Sequence, residues 1–250
     1  MSVSNLALGA LHVRFSGFSA SFRHPLTLTG MQISTPVPPF STLLGIIGAC
    51  AGRIISPADT RIGFEFHADS ADREIERTNR FQFKNGKLQP HREGQSIMLR
   101  QVHFNPVLDL YVTNTNLKEA FESPVSTPSM GRSQDIAWID FAREISLEPA
   151  EEGDLGPTLL PQPFPVKGLI LRLPEWMEND RMGYVRRSGP FGFYMAGIPT
   201  DQFRIHARGP NLFRPSDSST PNDVIYIHSW LKQKAKSLPS NNSIHGVNNG

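Results

Sequence analysis

Three stretches of this chain alternate apolar and polar residues with a period of two: Leu11, Val13 and Phe15; Ile62, Phe64 and Phe66; Leu108, Leu110 and Val112. That period is the signature of a strand buried on one face. A chain with three such strands must build a sheet and must cover its apolar face with another element. The cover is visible between the first two strands. Pro36-Val37-Pro38-Pro39-Phe40 holds the backbone extended up to Ser41, whose hydroxyl can cap a helix starting at Thr42. Leu43, Leu44, Ile46, Ile47 and Cys50 give that helix a broad apolar face, Gly45, Gly48 and Ala49 suit close packing on a sheet, and Gly52 suits its C-terminal end.

Between the second and third strands lies an excursion. From Arg77 to Phe104 it carries Arg77, Arg80, Lys84, Lys87, Arg92 and Arg100 against one acid, Glu93, with His91 and His103 among them. Its centre, Lys84-Asn85-Gly86-Lys87, holds the Asn-Gly pair favoured in tight hairpin turns, with Phe81 and Phe83 on the approach. The segment therefore reads as a basic β-hairpin arm over about residues 72–104. Asn116 can cap a short helix carrying Leu117, Ala120 and Phe121, and Ile136 to Ile139 re-enters the sheet as a core strand. Strand, helix, strand, excursion, strand, helix, strand is the order of a ferredoxin-like or RRM-like α+β sheet, not of a doubly wound one.

Beyond about residue 145 the texture changes. Acids concentrate from Asp135 to Asp154, and short strands at 168–173, 184–194, 203–207 and 224–228 are separated by Gly and Pro, as in a small β-rich lobe. A second basic segment spans Arg181, Arg186, Arg187, Arg204, Arg208 and Arg214. The expected division is 1–145 for the sheet domain with its arm, 146–231 for the small lobe, and 232–250, rich in Lys, Ser and Asn, for a mobile tail. With 38% hydrophobic residues, 20 glycines and 21 prolines in 250 residues, the composition is globular and loop-rich, with helix in the minority.

Several function classes lack their residues. Cys50 is the only cysteine, which excludes an intramolecular disulfide and a cysteine-rich zinc site and fits a reducing, cytoplasmic setting. No secretory leader or membrane span is read. No Gly-x-Gly-x-x-Gly turn, Walker lysine, Gly-x-Ser-x-Gly elbow or His-Glu-x-x-His pair points to an enzyme acting on a small molecule, and no metal or cofactor is expected. A net charge of +2 argues little by itself, so the clustering of charge matters more.

Three segments in this order, Phe22-Arg23-His24-Pro25, Pro38 to Ala49 and Met130-Gly131-Arg132-Ser133-Gln134-Asp135, resemble the CRISPR-associated Cas five family. The resemblance covers the first 140 residues. It implies an RRM-like N-terminal domain with a protruding hairpin thumb, a small C-terminal β lobe, and a place in type I Cascade holding the 5′ handle of the CRISPR guide RNA. The expected partners are the Cas seven family backbone subunit, whose filament this chain would cap, the Cas eight family large subunit, and target DNA through the complex; the general look leans toward the subtype I-B branch.

On this reading RNA is held by Arg23, by Arg77, Arg80, Lys84, Lys87, Arg92 and Arg100 along the arm, with Phe81 and Phe83 stacking on bases, and by Gly131, Arg132 and Ser133, where the glycine lets backbone approach phosphate. No catalytic residue is expected. The alternative is a metal-independent endoribonuclease that processes repeat RNA, for which His91, His103, Lys84 and Lys87 are the available acid–base and cationic groups.

Overall fold

The computed structural model describes residues 7–24, 31–162, 164, 168–179 and 186–231. Arg181, the first residues of the expected 184–194 strand, Pro25 and the expected tail at 232–250 lie outside them. In chain order the strands are β1 (Leu8–Gly17), β2 (Ser19–Ala20), β3 (Met31–Gln32), β4 (Ile62–His67), β5 (Ser70–Lys84), β6 (Lys87–Phe104), β7 (Val107–Val112), β8 (Ala137–Leu155), β9 (Leu159–Pro161), β10 (Leu169–Pro174), β11 (Met177–Asn179), β12 (Arg186–Ser188), β13 (Phe191–Ala196), β14 (Ile205–Pro215) and β15 (Ile225–Tyr226). Helix α1 (Phe40–Ala51) follows β3, and a 3₁₀ turn (Thr115–Leu117) leads into α2 (Lys118–Glu122) after β7.

The main sheet is antiparallel, in the order β15-β14-β8-β1-β7-β4. It curls, because the chain after β15 reaches the outer edge of β4: the His228 N–H donates to the Ile62 carbonyl at 2.7 Å. A three-stranded sheet, β10-β13-β9, packs into the same core. Position 145/146, where the composition changes, falls inside β8, and β14 and β15 extend the sheet that β1 begins.

The alternating triplets of β1, β4 and β7 are all fully buried, and α1 lies over them through Phe40, Leu43, Leu44, Ile46, Ile47 and Cys50. Phe40 makes an edge contact with Phe64 at 5.8 Å between ring centroids. Each fully buried Leu, Ile or Phe contributes about 1.5–3 kcal/mol of transfer free energy.

Local expectations are corrected at four places. The helix begins at Phe40 with Pro39 at its N-cap, and no side chain caps it, so Ser41 sits within the first turn with its hydroxyl free of that duty. Gly45 faces open space instead of the sheet, and Gly48 meets the Arg53 carbonyl. Asn114, not Asn116, caps the turn before α2, accepting from the Asn116 N–H. Ile136 and Trp138 are exposed, so the entry into β8 is no core strand; Ala137 alone is buried there. His12, on the polar side of β1, is buried because its two ring nitrogens lie 2.7 Å from Asp109 and 2.6 Å from Asp217. No helix among the described residues is long and apolar enough to cross a membrane.

Candidate nucleic-acid interface

β5 and β6 form the expected arm as one antiparallel ribbon from Ser70 to Phe104. Its turn places Asn85 at φ 52° and Gly86 at φ 70°, the pair of positive angles that a two-residue type I′ turn requires and that Asn-Gly supplies at little strain. The ribbon is irregular between Asn79 and Phe81, where the register jumps from Gln95 to Pro90 and His91 to Gly94 bulge outward.

Alternation along β5 sorts the arm into two faces. Arg73, Ile75, Arg77, Asn79, Phe81 and Phe83 share one, opposite Gln101, Leu99, Ile97, Gln95, Pro90 and Leu88. Ile75, Phe81, Phe83, Leu88, Ile97 and Leu99 are all exposed on it. Glu74, Glu76, Arg80 and Lys84 share the other face, with Arg100 and Lys87 opposite. Phe81 and Phe83 therefore share a face with Arg73 and Arg77 and turn away from Arg80, Lys84 and Lys87.

The arm's charges also differ along its length. Near the root Arg100 donates to Glu76 at 2.6 Å, and midway Arg80 meets Glu93 at 3.2 Å while Arg77 bonds the neutral Gln95 at 2.6 Å. Toward the tip Lys84, Lys87 and Arg92 are exposed and have no carboxylate partner among the described residues. The outer arm is where positive charge is available to a polyanion.

Arg132 is engaged by carboxylates of its own chain. Its guanidinium reaches Asp135 at 2.8 and 2.9 Å, Glu76 at 3.3 Å, and Glu74. Asp135 is wholly buried and also accepts from the Ser19 hydroxyl at 2.6 Å. The side-chain bonds to Asp135 hold the Arg132 charge on more firmly than usual, against an opposing cost of burial. Arg132 thus latches the root of the arm to the body of the protein. Gly131 serves the same loop: at φ 118°, a Cβ there would stand 2.0 Å from the Ser21 carbonyl oxygen, so the close approach that requires glycine is to the chain's own backbone. Ser133 is exposed beside this loop.

A groove of about 760 Å³ opens where the arm meets the body. Arg23, Arg100, Gly131 and Arg132 line it together, joined by Ser21, Gln32, Ser41 and Thr42, which no sequence motif marks as binding residues, and by an apolar wall of Leu173, Pro174 and Met177. Arg23 is exposed, with no carboxylate partner among the described residues. The first turn of α1, with no acidic residue, faces the same space.

Of the groups available for RNA cleavage, His103 is set apart from His91, Lys84 and Lys87 of the outer arm. His103 is buried against Phe22 and Phe66 with its Nε2 2.9 Å from the Thr35 carbonyl oxygen, and burial pushes its pKa below the ordinary imidazole value. Along β6 it stands sixteen residues from Lys87, roughly 50 Å. Among the described residues no group of three His, Cys, Asp or Glu side chains could hold a metal ion.

A second, charged cleft of about 460 Å³ lies on the outer face of the main sheet, where Arg14, Arg143 and Arg204 are tied to Asp109, Asp217 and Glu65. Burial pushes the Glu65 carboxyl upward, but His67, Arg204 and the Gly156 N–H outweigh it and leave its pKa below the ordinary carboxylate value.

No protein-family profile matches the sequence, and no curated protein matches it. Solved structures do. A chain of a structure described as a CRISPR RNA-guided surveillance complex aligns with a TM-score of 0.50 and 14% identity, over 84% of this chain and 92% of that one. A chain from the cryo-EM structure of the Type III-B Cmr-beta bound to cognate target RNA (TM-score 0.48, 11% identity, 74% and 84% covered) is more distant, as is a CRISPR protein from Archaeoglobus fulgidus (0.43, 9%, 89% and 100%). What is shared at such identities is the fold: a β-rich architecture that also occurs in a chain of a CRISPR surveillance complex.

Proposed function

We propose that this chain is a non-catalytic RNA-binding subunit of a type I CRISPR surveillance complex, of the Cas five kind, that grips the 5′ handle of the guide RNA and caps the backbone filament. The observation that carries the reading is the arm, a ribbon of 15 and 18 residues whose outer cations, Lys84, Lys87 and Arg92, lack carboxylate partners among the described residues while its root is charge-neutralised and latched. Such a ribbon offers phosphate neutralisation at the tip and an arginine-lined groove at the base, the two features that single-stranded RNA binders combine. The strand order β8-β1-β7-β4, with α1 between β1 and β4 and α2 between β7 and β8, supports a ferredoxin-like, RRM-like sheet beneath it. The exposed apolar face of the arm suits a protein neighbour, in this reading the Cas seven family backbone subunit, with the Cas eight family large subunit beside it and the assembly in the cytoplasm.

Gel shifts of the purified chain with a repeat-derived 5′ handle RNA and a scrambled RNA of equal length, at two salt concentrations, test the proposal. Preference for the handle, reduced by Lys84→Glu with Lys87→Glu and leaving the RNA intact, supports it. Absence of any preference, alone or with the backbone subunit, refutes it.

A further inference from the structure

The groove at the arm's root contains a feature that neither the arm nor its charge explains. Gln32 is 2% exposed and its carboxamide oxygen is enclosed with no hydrogen-bond partner among the described residues, yet the residue lines the groove. Leaving a buried acceptor without a donor costs about 1–3 kcal/mol, and a water, an ion or a ligand that supplies the donor removes that cost. A few residues along, α1 presents its N-terminus to the same space. Thr42 and Leu43 both donate to the Pro39 carbonyl, at 2.9 and 3.2 Å, which leaves the N–H groups of Phe40 and Ser41 without an acceptor among the described residues. No side chain caps this end, no acid sits in its first turn, and Arg23, free of any described carboxylate, lines the same groove. Free amides, the helix dipole and an arginine together favour a phosphate.

We infer that the groove holds one ribonucleotide of the bound strand, its phosphate at the N-terminus of α1 beside Arg23 and its 2′-hydroxyl or base amine donating to the Gln32 side chain, so that Gln32 sets specificity. A phosphate alone would satisfy the helix and leave Gln32 unpaired; a ligand that satisfies both carries an anion and a donor within one nucleotide. The ribose 2′-hydroxyl is the group that separates RNA from DNA at such a site. The inference rests on the RNA-binding reading above and goes beyond it by naming residues the arm does not include.

Gln32→Leu and Arg23→Gln test it, each against handle RNA and DNA of the same sequence, with thermal melts of the free proteins. Because Gln32 makes no side-chain hydrogen bond among the described residues, Gln32→Leu keeps the melting temperature at or above that of the parent. It weakens handle RNA by about fivefold to thirtyfold, the loss expected for one bond to an enclosed acceptor. An effect confined to RNA assigns the 2′-hydroxyl, and an equal effect on DNA assigns a base amine. The Arg23 variant, which removes the cation beside the phosphate, weakens both nucleic acids alike. A parent chain that prefers the handle while both folded variants bind as it does overturns the inference alone; a parent chain with no handle preference overturns the underlying function instead.

Discussion

Replacing Arg132 by Ala separates a structural latch from an RNA contact, and the two readings differ in measurable amounts. The guanidinium is only 12% exposed and is shared by Asp135, Glu76 and Glu74. Its removal leaves the buried Asp135 carboxylate with two donors, the Ser19 hydroxyl at 2.6 Å and the residue-132 N–H at 3.1 Å. Breaking one partner out of a buried ion pair costs about 3–5 kcal/mol, and those donors place this case near the lower end, about 3 kcal/mol. For a chain of this size each kcal/mol lowers the melting temperature by about 2–4 °C, so a fall of roughly 6–12 °C is expected. Arg132→Leu with Asp135→Asn removes both charges and recovers part of that loss, since the penalty lies in the stranded carboxylate. Thermal melts and gel shifts on the same preparations decide the matter. A melt for Arg132→Ala within about 1 °C of the parent, with a tenfold or greater loss of handle affinity, would refute the latch and restore Arg132 as an RNA ligand.

Gly131→Ala introduces a Cβ against the Ser21 carbonyl at a φ few L-residues adopt, and the chain is expected to lose at least about 1–3 kcal/mol from the backbone conformation alone, read as a lowered melt with or without RNA. Lys84→Glu with Lys87→Glu changes two exposed side chains that have no carboxylate partner among the described residues, so stability stays within about 0.5 kcal/mol of the parent while the slope of log affinity against log salt shrinks by about 0.7 for each phosphate of the single strand that is no longer neutralised. Glu65 and Asp109 both hold pKa values below those of free carboxylates: burial opposes the shift in each, and His67 with Arg204, or His12 with Arg14, outweighs it. A depressed carboxylate adds stability that is present above its unfolded pKa of about 4 and is lost as the pH falls through the folded value. Melting temperatures are therefore expected to drop on acidification below about pH 4, with a shallower drop for Glu65→Gln; an acid limb unchanged by that substitution would remove Glu65 from the account.

Much of the frame was legible because it rests on local rules. Period-two burial located β1, β4 and β7, an apolar face located α1, and Asn85-Gly86 located the hairpin tip, since each signal lies within a few residues and reports a conformation that those residues prefer by themselves. The helix end departs from its local signal. Ser41 is a good cap in isolation, but Pro39 takes the N-cap position and leaves the hydroxyl in the groove lining.

Side-chain period and turn chemistry act along the chain, and they were enough to specify the strands, the covering helix and a basic ribbon between them. Which charges stay free was settled in space. Arg132 is neutralised by Asp135, three residues on, and by Glu74 and Glu76, more than fifty residues away, while Lys84 and Lys87 escape because the ribbon carries them beyond reach of any described carboxylate. Gln32, Ser41, Arg23 and Met177 meet in one groove by the curl of the chain, and no spacing in the sequence encodes that meeting. Coulomb interactions and hydrogen bonds act over a few ångströms in space, so a residue's role at such a site is set by its neighbours after folding and not by its neighbours in the chain.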